Sequence, residues 1–340
     1  MNVSVKLVFS LVVLCLIFPS VGLLAQRGIP RIMINPKGHS AKINNILYTP
    51  DGNRIISVSE DKTIRIWNTE STELINKFES QVGNGSEGMH YAAAISPNGR
   101  LLAVAGYPVS SEETNYIIII DIEQGVQVAT ARGHTNVING MGFTADGKFL
   151  ISGGDDGLIK IWNVSRSKTY AEHATIEVGL PVYSLSVSPK TNAVAIATES
   201  RDIWLYNLSG IQTKKTGFPV EVLKGHKDLV NKVSFSPNGK YIGSCSYNND
   251  LALWSADGSL EFLFDEFEVP FNALAFSYDD RVFVAMDITG RGYSYSIPTG
   301  TLYTKDFKGH DNTVFSAAFS PKSTEGNYVI ASAGGTQNEI

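Results

Sequence analysis

The sequence predicts an all-β chain built from seven copies of one unit, and three observations carry that expectation. A short apolar phrase ending in Ser or Thr returns along the chain at a nearly even step. Four of its copies run into Asp-Gly or Asn-Gly, dipeptides that fold a chain back on itself between strands. Beyond residue 25, no stretch sustains a helical period of apolar residues over three turns.

The first copy reads Ile46-Leu47-Tyr48-Thr49-Pro50-Asp51-Gly52, and the second Ala94-Ile95-Ser96-Pro97-Asn98-Gly99. The others are Gly142 to Gly147, Ser186 to Pro189, Ser234 to Gly239, Ala275 to Asp279 and Ala318 to Pro321. Their Ser/Thr anchors stand at 49, 96, 144, 188, 236, 277 and 320, in steps of 47, 48, 44, 48, 41 and 43. The turns at 51–52, 98–99, 146–147 and 238–239 predict two-residue hairpins, which require positive φ angles. A second apolar run follows each turn, as in Ile55-Ile56, Leu101-Leu102, Phe149-Leu150 and Tyr241-Ile242. A third strand is read in Ile64 to Trp67, Ile117 to Ile120, Ile159 to Trp162, Ile203 to Tyr206 and Leu251 to Trp254. About four short strands per unit suit a radial arrangement, the β-propeller, which leaves only short, protected edges.

With 340 residues, 43% hydrophobic and 18% charged, the composition is that of one large folded unit or two small ones. Lys and Arg number 28 against 33 Asp and Glu. A mildly acidic chain with no basic run has no electrostatic footprint for nucleic acid. The amino terminus differs from the rest: Lys6, an apolar run from Leu7 to Phe18, a break at Pro19-Ser20, and Leu23-Leu24-Ala25 before Gln26. This is the layout of a secretory signal peptide over residues 1–25, cleaved near Ala25. It implies an extracytoplasmic protein, periplasmic or secreted, with no membrane contact after cleavage. The alternative is an uncleaved segment that anchors the chain in a membrane. Leu14 before Cys15 argues against a lipoprotein. After cleavage the one remaining cysteine is Cys245, which excludes an intramolecular disulfide.

Gly38-His39, Gly133-His134, Gly225-His226 and Gly309-His310 resemble the Gly-His that opens a WD40 repeat. Trp67, Trp162 and Trp254 resemble its closing Trp, each 28 residues after its His. The resemblance covers residues 38–340 and implies a seven-bladed WD40 β-propeller. Residues 26–37, through Arg31 to Asn35, would supply the ring-closing outer strand. In that family His, Ser, Asp and Trp form a buried network inside a blade. Carried over by position, the structural sets are His39, Ser57, Asp61 and Trp67, then His134, Ser152, Asp156 and Trp162. In the fifth repeat His226, Ser244 and Trp254 match, but Asn248 stands in the Asp position and removes the charge. His310 and Ser332 match in the seventh, with an insertion around Ser323 to Gly326 and Thr336 in the Asp position. Three near-copies of one active site in one chain would make no chemical sense, so these residues are read as structural.

The resemblance also places the residue five before each anchor at the mouth of the central channel, where partners of this family dock. That offset gives Asn44, Tyr91, Asn139, Tyr183, Asn231, Asn272 and Phe315 as partner-binding candidates, all Asn or aromatic, a composition suited to an interface core. The competing reading is that Asn at a strand start bonds local backbone. Repeats two, four and six lack Gly-His, and the second carries a polar insertion, Ser110 to Asn115, read as a surface loop. Gly83 to Gly88 spells a dinucleotide fingerprint without the helix that it needs. Cys245 beside His226 reads as a small buried thiol and not a nucleophile. No Cys or His pair has metal-ligand spacing, and no cofactor is expected.

By comparison with Ser57 and Trp67, the Trp of the seventh repeat would fall near position 342, so the last blade is expected to be incomplete. The resemblance thus implies an exported, non-catalytic protein-protein interaction scaffold with protein partners. Two alternatives stand beside it: the regulatory or substrate-binding propeller of a larger caspase-like peptidase, and a propeller enzyme acting on a small molecule.

Overall fold

Runs such as Ile64-Arg65-Ile66-Trp67 place apolar side chains on both faces of a strand, so each face needs a neighbour to cover it. The computed structural model describes residues 12–16, 38–79, 84–108, 115–165, 169–211, 218, 220–297, 299–308 and 310–334. Strand β1 is Val12–Leu16. The first blade is β2 (Ile43–Tyr48), β3 (Arg54–Ser59), β4 (Thr63–Asn68) and β5 (Leu74–Glu79). The second is β6 (His90–Ile95), β7 (Leu101–Gly106), β8 (Asn115–Asp121) and β9 (Val126–His134). The third is β10 (Ile138–Phe143), β11 (Phe149–Gly154), β12 (Leu158–Asn163) and β13 (Thr169–Glu177). The fourth is β14 (Val182–Val187), β15 (Ala193–Thr198), β16 (Ile203–Asn207) and β17 (Val220–Leu223). The fifth is β18 (Val230–Phe235), β19 (Tyr241–Ser246), β20 (Leu251–Ser255) and β21 (Leu260–Phe264). The sixth is β22 (Phe271–Phe276), β23 (Val282–Asp287), β24 (Arg291–Ser296) and β25 (Leu302–Lys308), and the seventh opens with β26 (Val314–Phe319) and β27 (Tyr328–Gly334).

Within each blade, strands consecutive in sequence pair antiparallel. Blades two and three also join edge to edge, where β13 runs parallel to β9 at Thr169–Thr130 and Tyr170–Ala131. The first strands of successive blades are neighbours all the way round. The ring closes where the Ile46 amide donates to Ser316 Oγ at 3.0 Å and where Ile43 and Ile46 pack on Ala331 and Ala333.

The core is not central. It is divided among the radial seams between blades, because each blade is apolar on both sides. Ile56, Val58 and Ile66 of the first blade meet Leu102, Val104 and Ile120 of the second. Ala103, Ile117 and Ile119 of the second meet Phe143, Leu150 and Trp162 of the third. Corresponding clusters fill the seams that follow, down to Val282, Val284 and Met286 against Val314, Phe319 and Ile330.

The turns differ from the expectation. Gly52 N–H donates to Thr49 O at 2.8 Å, and only Gly52 of the Asp51-Gly52 pair has positive φ, at 68°. This is a type I turn over Thr49-Pro50-Asp51-Gly52, with Pro at the position whose φ its ring presets and Gly in the left-handed region. The Ser/Thr anchor explains itself here. Thr49 Oγ1 accepts the Arg54 amide at 3.1 Å and donates to Asp51 Oδ1. Ser96, Thr144 and Ser277 repeat both bonds, to the amides of Leu101, Phe149 and Val282 and to Asn98, Asp146 and Asp279.

The seventh blade is incomplete as expected, with three strands among the described residues, and its third comes from the other end of the sequence. Val12–Leu16 pairs antiparallel with β27, Val12 opposite Ser332 and Leu14 opposite Ile330. Leu14 thereby holds the register that Trp67 holds opposite Ile55 in the first blade. The open edge of β27 requires partners for its amides and carbonyls, and an apolar run with β-branched residues is the kind of segment that supplies them. The segment read as the apolar centre of a leader thus forms a strand. Arg31 to Asn35, the expected closing strand, and Thr336 lie outside the described residues. Asn115, counted in the polar insertion, is the buried first residue of β8 and donates to the Gly106 and Asn136 carbonyls.

Candidate functional site: the mouth of the central channel

The structural histidines come first, since they hold the blades that present the site. In the first blade Trp67 Nε1–H donates to Ser57 Oγ at 2.8 Å, and Ser57 Oγ lies 2.7 Å from His39 Nε2. His39 Nδ1 lies 2.8 Å from Asp61 Oδ2. A carboxylate at Nδ1 calls for the Nδ1–H tautomer, leaving Nε2 to accept from the serine hydroxyl. Burial lowers the His39 pKa, which keeps the ring neutral. Burial opposes ionisation of Asp61 too, but hydrogen bonds from His39, Thr63 and Ser40 outweigh it and hold the carboxyl well below its usual range. The third blade repeats the chain through His134, Asp156, Ser152 and Trp162 at 2.8 Å per link. These links make the four residues of each set one connected network.

The glycine before the histidine has a steric reason in the third and fifth blades. A Cβ on Gly225 would lie 2.7 Å from the Trp254 ring, and one on Gly133 3.2 Å from Trp162.

In the fifth blade His226 Nε2 lies 2.6 Å from Ser244 Oγ, which accepts from Trp254 Nε1 at 2.8 Å. The charge is not lost. Asp250, two residues beyond Asn248, takes His226 Nδ1. The first blade shows why this works: Thr63, two residues after Asp61, already has its hydroxyl 3.2 Å from His39 Nδ1. A carboxylate at the Thr63 position is therefore as well placed as one at the Asp61 position. In the seventh blade His310 Nε2 meets Ser332 Oγ at 2.9 Å.

Blades two, four and six solve the same packing problem without the Ser-His pair. Register places Val104, Ile196 and Ala285 where Ser57 stands, and Ile120, Tyr206 and Tyr295 where Trp67 stands. With the serine gone, no histidine is required to satisfy it.

The seven residues five before the anchors all border one cavity of about 480 Å³ at the axis of the ring. Asn44, Tyr91, Asn139, Tyr183, Asn231, Asn272 and Phe315 share its lining with Lys42, Asp155, Lys232, Tyr247, Pro270 and Ile288. The asparagines bond backbone, but not locally. Asn44 Nδ2 donates to His90 O at 2.8 Å, Asn139 Nδ2 to Val182 O at 3.0 Å, and Asn231 Nδ2 to Phe271 O at 2.7 Å. Each tie crosses to the next blade. These three amides hold the ring together at its mouth, while Tyr91, Tyr183 and Phe315 are the aromatic surfaces.

A second ring was not singled out in the sequence. It consists of the residue just past the second strand of each blade: Glu60, Tyr107, Asp155, Glu199, Tyr247 and Ile288. In every one of these six blades its amide donates to the carbonyl two residues before the first-ring residue, at 2.9 to 3.1 Å. The signal was available, since the position falls three residues after Ser57, Ser152 and Ser244. Asp155 Oδ1 accepts from Asn139 at 2.6 Å, and burial raises its pKa. Lys42 reaches Glu60 at 3.2 Å and lies over the Phe315 ring at 4.0 Å.

The decoys resolve by face. Ser244 points to the seam with the fourth blade and Cys245, its neighbour on the strand, to the seam with the sixth, so the thiol lies away from His226. Residues 84–88 form turns and bends and open no helix. Among the described residues no three His, Cys, Asp or Glu side chains converge to hold a metal ion.

A family model, WD domain, G-beta repeat, matches residues 31–68, 125–163 and 217–255, the segments that end just after Trp67, Trp162 and Trp254. The chain is similar to transcription factor unc-37 of Caenorhabditis elegans, 26% identical over 259 residues, covering 76% of this chain and 37% of that protein. It is similar to apoptotic protease-activating factor 1 of Rattus norvegicus, 23% identical, over 66% of this chain and 23% of that protein. A third relative is the target of rapamycin complex subunit wat1 of Schizosaccharomyces pombe, 21% identical over 60% of this chain and 74% of that protein. The chain thus spans well under two thirds of the first two relatives. Seven blades closed into a ring, three Ser-His-Asp-Trp networks and the three matched repeats together place this chain in the family of WD40-repeat β-propellers.

Proposed function

We propose that this protein is an exported, non-catalytic scaffold that holds a protein partner at the mouth of its central channel. The observation that carries the proposal is the convergence of seven Asn and aromatic residues, from all seven blades, on one cavity. Tyr183 and Phe315 offer rigid contact area, and the interblade ties hold the wall in place without moving parts. Relatives named as a complex subunit and a protease-activating factor support a partner-holding role. Export rests on the layout of residues 1–25. On this reading, cleavage after Ala25 removes β1 and frees the edge of β27 for another strand.

The test compares wild type with the Tyr183→Ala, Phe315→Ala double variant as immobilised bait for crosslinked partners from an envelope extract. Both side chains lie at the channel rim, so the thermal midpoint should move by no more than about 2 °C. Retention of the partner should fall at least about tenfold, the loss of a modest hot spot. Equal retention by both proteins refutes the proposed surface.

A further inference from the structure

One residue of the cavity wall breaks the pattern of its six counterparts. The position after the first-ring residue is Asn45, Ala92, Gly140, Ser184, Ala273 and Ser316 in the other blades, and Lys232 in the fifth. Five of the six are small, and where the inner strands approach closely a small residue is needed. A Cβ on Gly140 would lie 2.6 Å from the Leu185 amide, and Ser184 Oγ accepts the Val233 amide at 3.2 Å. Lys232 instead lines the cavity.

Its ammonium has no hydrogen-bond or ion-pair partner among the described residues. Glu60 is shared by Lys42 and Asn44, and Asp155 is held by Asn139. Cys245, directly opposite Lys232 in the β18–β19 register, gives no compensating charge, because burial raises its thiol pKa. Lys42 lines the same cavity, with its charge matched by Glu60. Burial, with a further push from Lys42, lowers the Lys232 pKa. A half-buried ammonium without a counter-ion is unfavourable, and an anion that enters the cavity relieves that cost. Asn272, Tyr247 and Phe315 stand around the same space to hold the group that carries the anion.

We infer that Lys232 recognises a carboxylate of the partner that docks at the channel mouth, either an Asp or Glu side chain or a chain's C-terminal carboxylate. The inference rests on the docking surface proposed above and names the chemistry that this surface selects.

The experiment selects linear peptides from a random display library on the full chain. The selected peptides are then resynthesised with each Asp or Glu changed to its amide, and separately with an amidated C-terminus. Affinities are measured by calorimetry on wild type, on K232M and on the Tyr183→Ala, Phe315→Ala double variant, with K232Q in place of K232M should that protein not fold. A required carboxylate should emerge whose neutralisation weakens binding about ten- to a hundredfold on wild type and little on K232M. The side-chain and C-terminal arms tell the two sources apart. Peptides that need Tyr183 and Phe315 but no carboxylate, or that bind K232M unchanged, overturn the carboxylate and leave the docking surface standing. Peptides indifferent to Tyr183 and Phe315, or no selected peptide at all, overturn both.

Discussion

Asp250 and Asn248 compete for one structural role, and substituting each by Ala separates them. Asp250 is fully buried, and its Oδ1 takes His226 Nδ1 and the Ser246 hydroxyl, the latter at 2.6 Å. Burial works against its ionisation, but the bonds from His226 and Ser246 prevail and its pKa lies below the ordinary value. Asp250→Ala removes two charge-assisted hydrogen bonds and orphans a buried imidazole N–H. A hydrogen bond to a charged group contributes about 1.5–3 kcal/mol, and an orphaned buried donor costs about 1–3 kcal/mol. These overlap at His226, so the expected loss is about 3 kcal/mol. At about 2.1 cal/mol/K per residue for some 300 folded residues, that is a fall of about 5 °C in the thermal midpoint. Asn248 lies nearer the surface on the same turn, and Asn248→Ala should cost less than about 1 kcal/mol. Urea unfolding followed by tryptophan fluorescence, with a thermal scan alongside, reads both variants. Equal shifts, or an Asp250→Ala shift under about 0.5 kcal/mol, would refute the assignment of the carboxylate to Asp250.

His90 makes the chain sensitive to acid. It is 3% exposed, its Nε2 has no hydrogen-bond partner, and burial pushes its pKa down to about 4. The unfolded chain binds the proton from about pH 6.5 downward and the folded chain only near pH 4, so stability is full above pH 6.5 and falls between these values. By pH 4.5 the loss from this group is about 2.5 kcal/mol. The other blades place Ile43, Ile138, Val182, Val230, Phe271 and Val314 at this position, so His90→Leu should reduce the pH dependence of the urea midpoint by that amount; an unchanged slope would discount the group. Gly225→Ala should destabilise by about 1–3 kcal/mol, because the added methyl meets the Trp254 ring at 2.7 Å. Gly85→Ala, which meets nothing within 4 Å and bears only the cost of positive φ, should lose about 1 kcal/mol, and denaturation curves that fail to rank the two this way would remove the steric reason for the Gly-His pair.

The fold was largely legible because the features that specify it are local. An anchor hydroxyl five residues before the amide it accepts, a Gly two residues into a turn, and apolar runs on both faces of short strands all lie within one unit. Their even spacing therefore gives the number of blades. The three complete networks were legible only where the family's spacing holds. Asp250 was missed because register says which residues face each other, and two positions on one turn reach the same imidazole. The choice between Asn248 and Asp250 is made in three dimensions.

For the channel mouth the division is similar. The offset from the anchor named seven residues around one cavity, since a repeated unit puts equivalent positions on one ring. That three of the asparagines tie one blade to the next depends on contacts between residues forty positions apart or more, and that Lys42 meets Glu60 while Lys232 meets no carboxylate depends on where the side chains turn at the rim. By itself the sequence determined an all-β repeat, its count of seven and its buried histidines, because strand period, turn chemistry and network spacing are written within each unit. Only the tertiary structure decided which side chains converge on the channel, which amides tie one blade to the next, and that Val12–Leu16 pairs with β27, because these follow from packing between units that no single unit encodes.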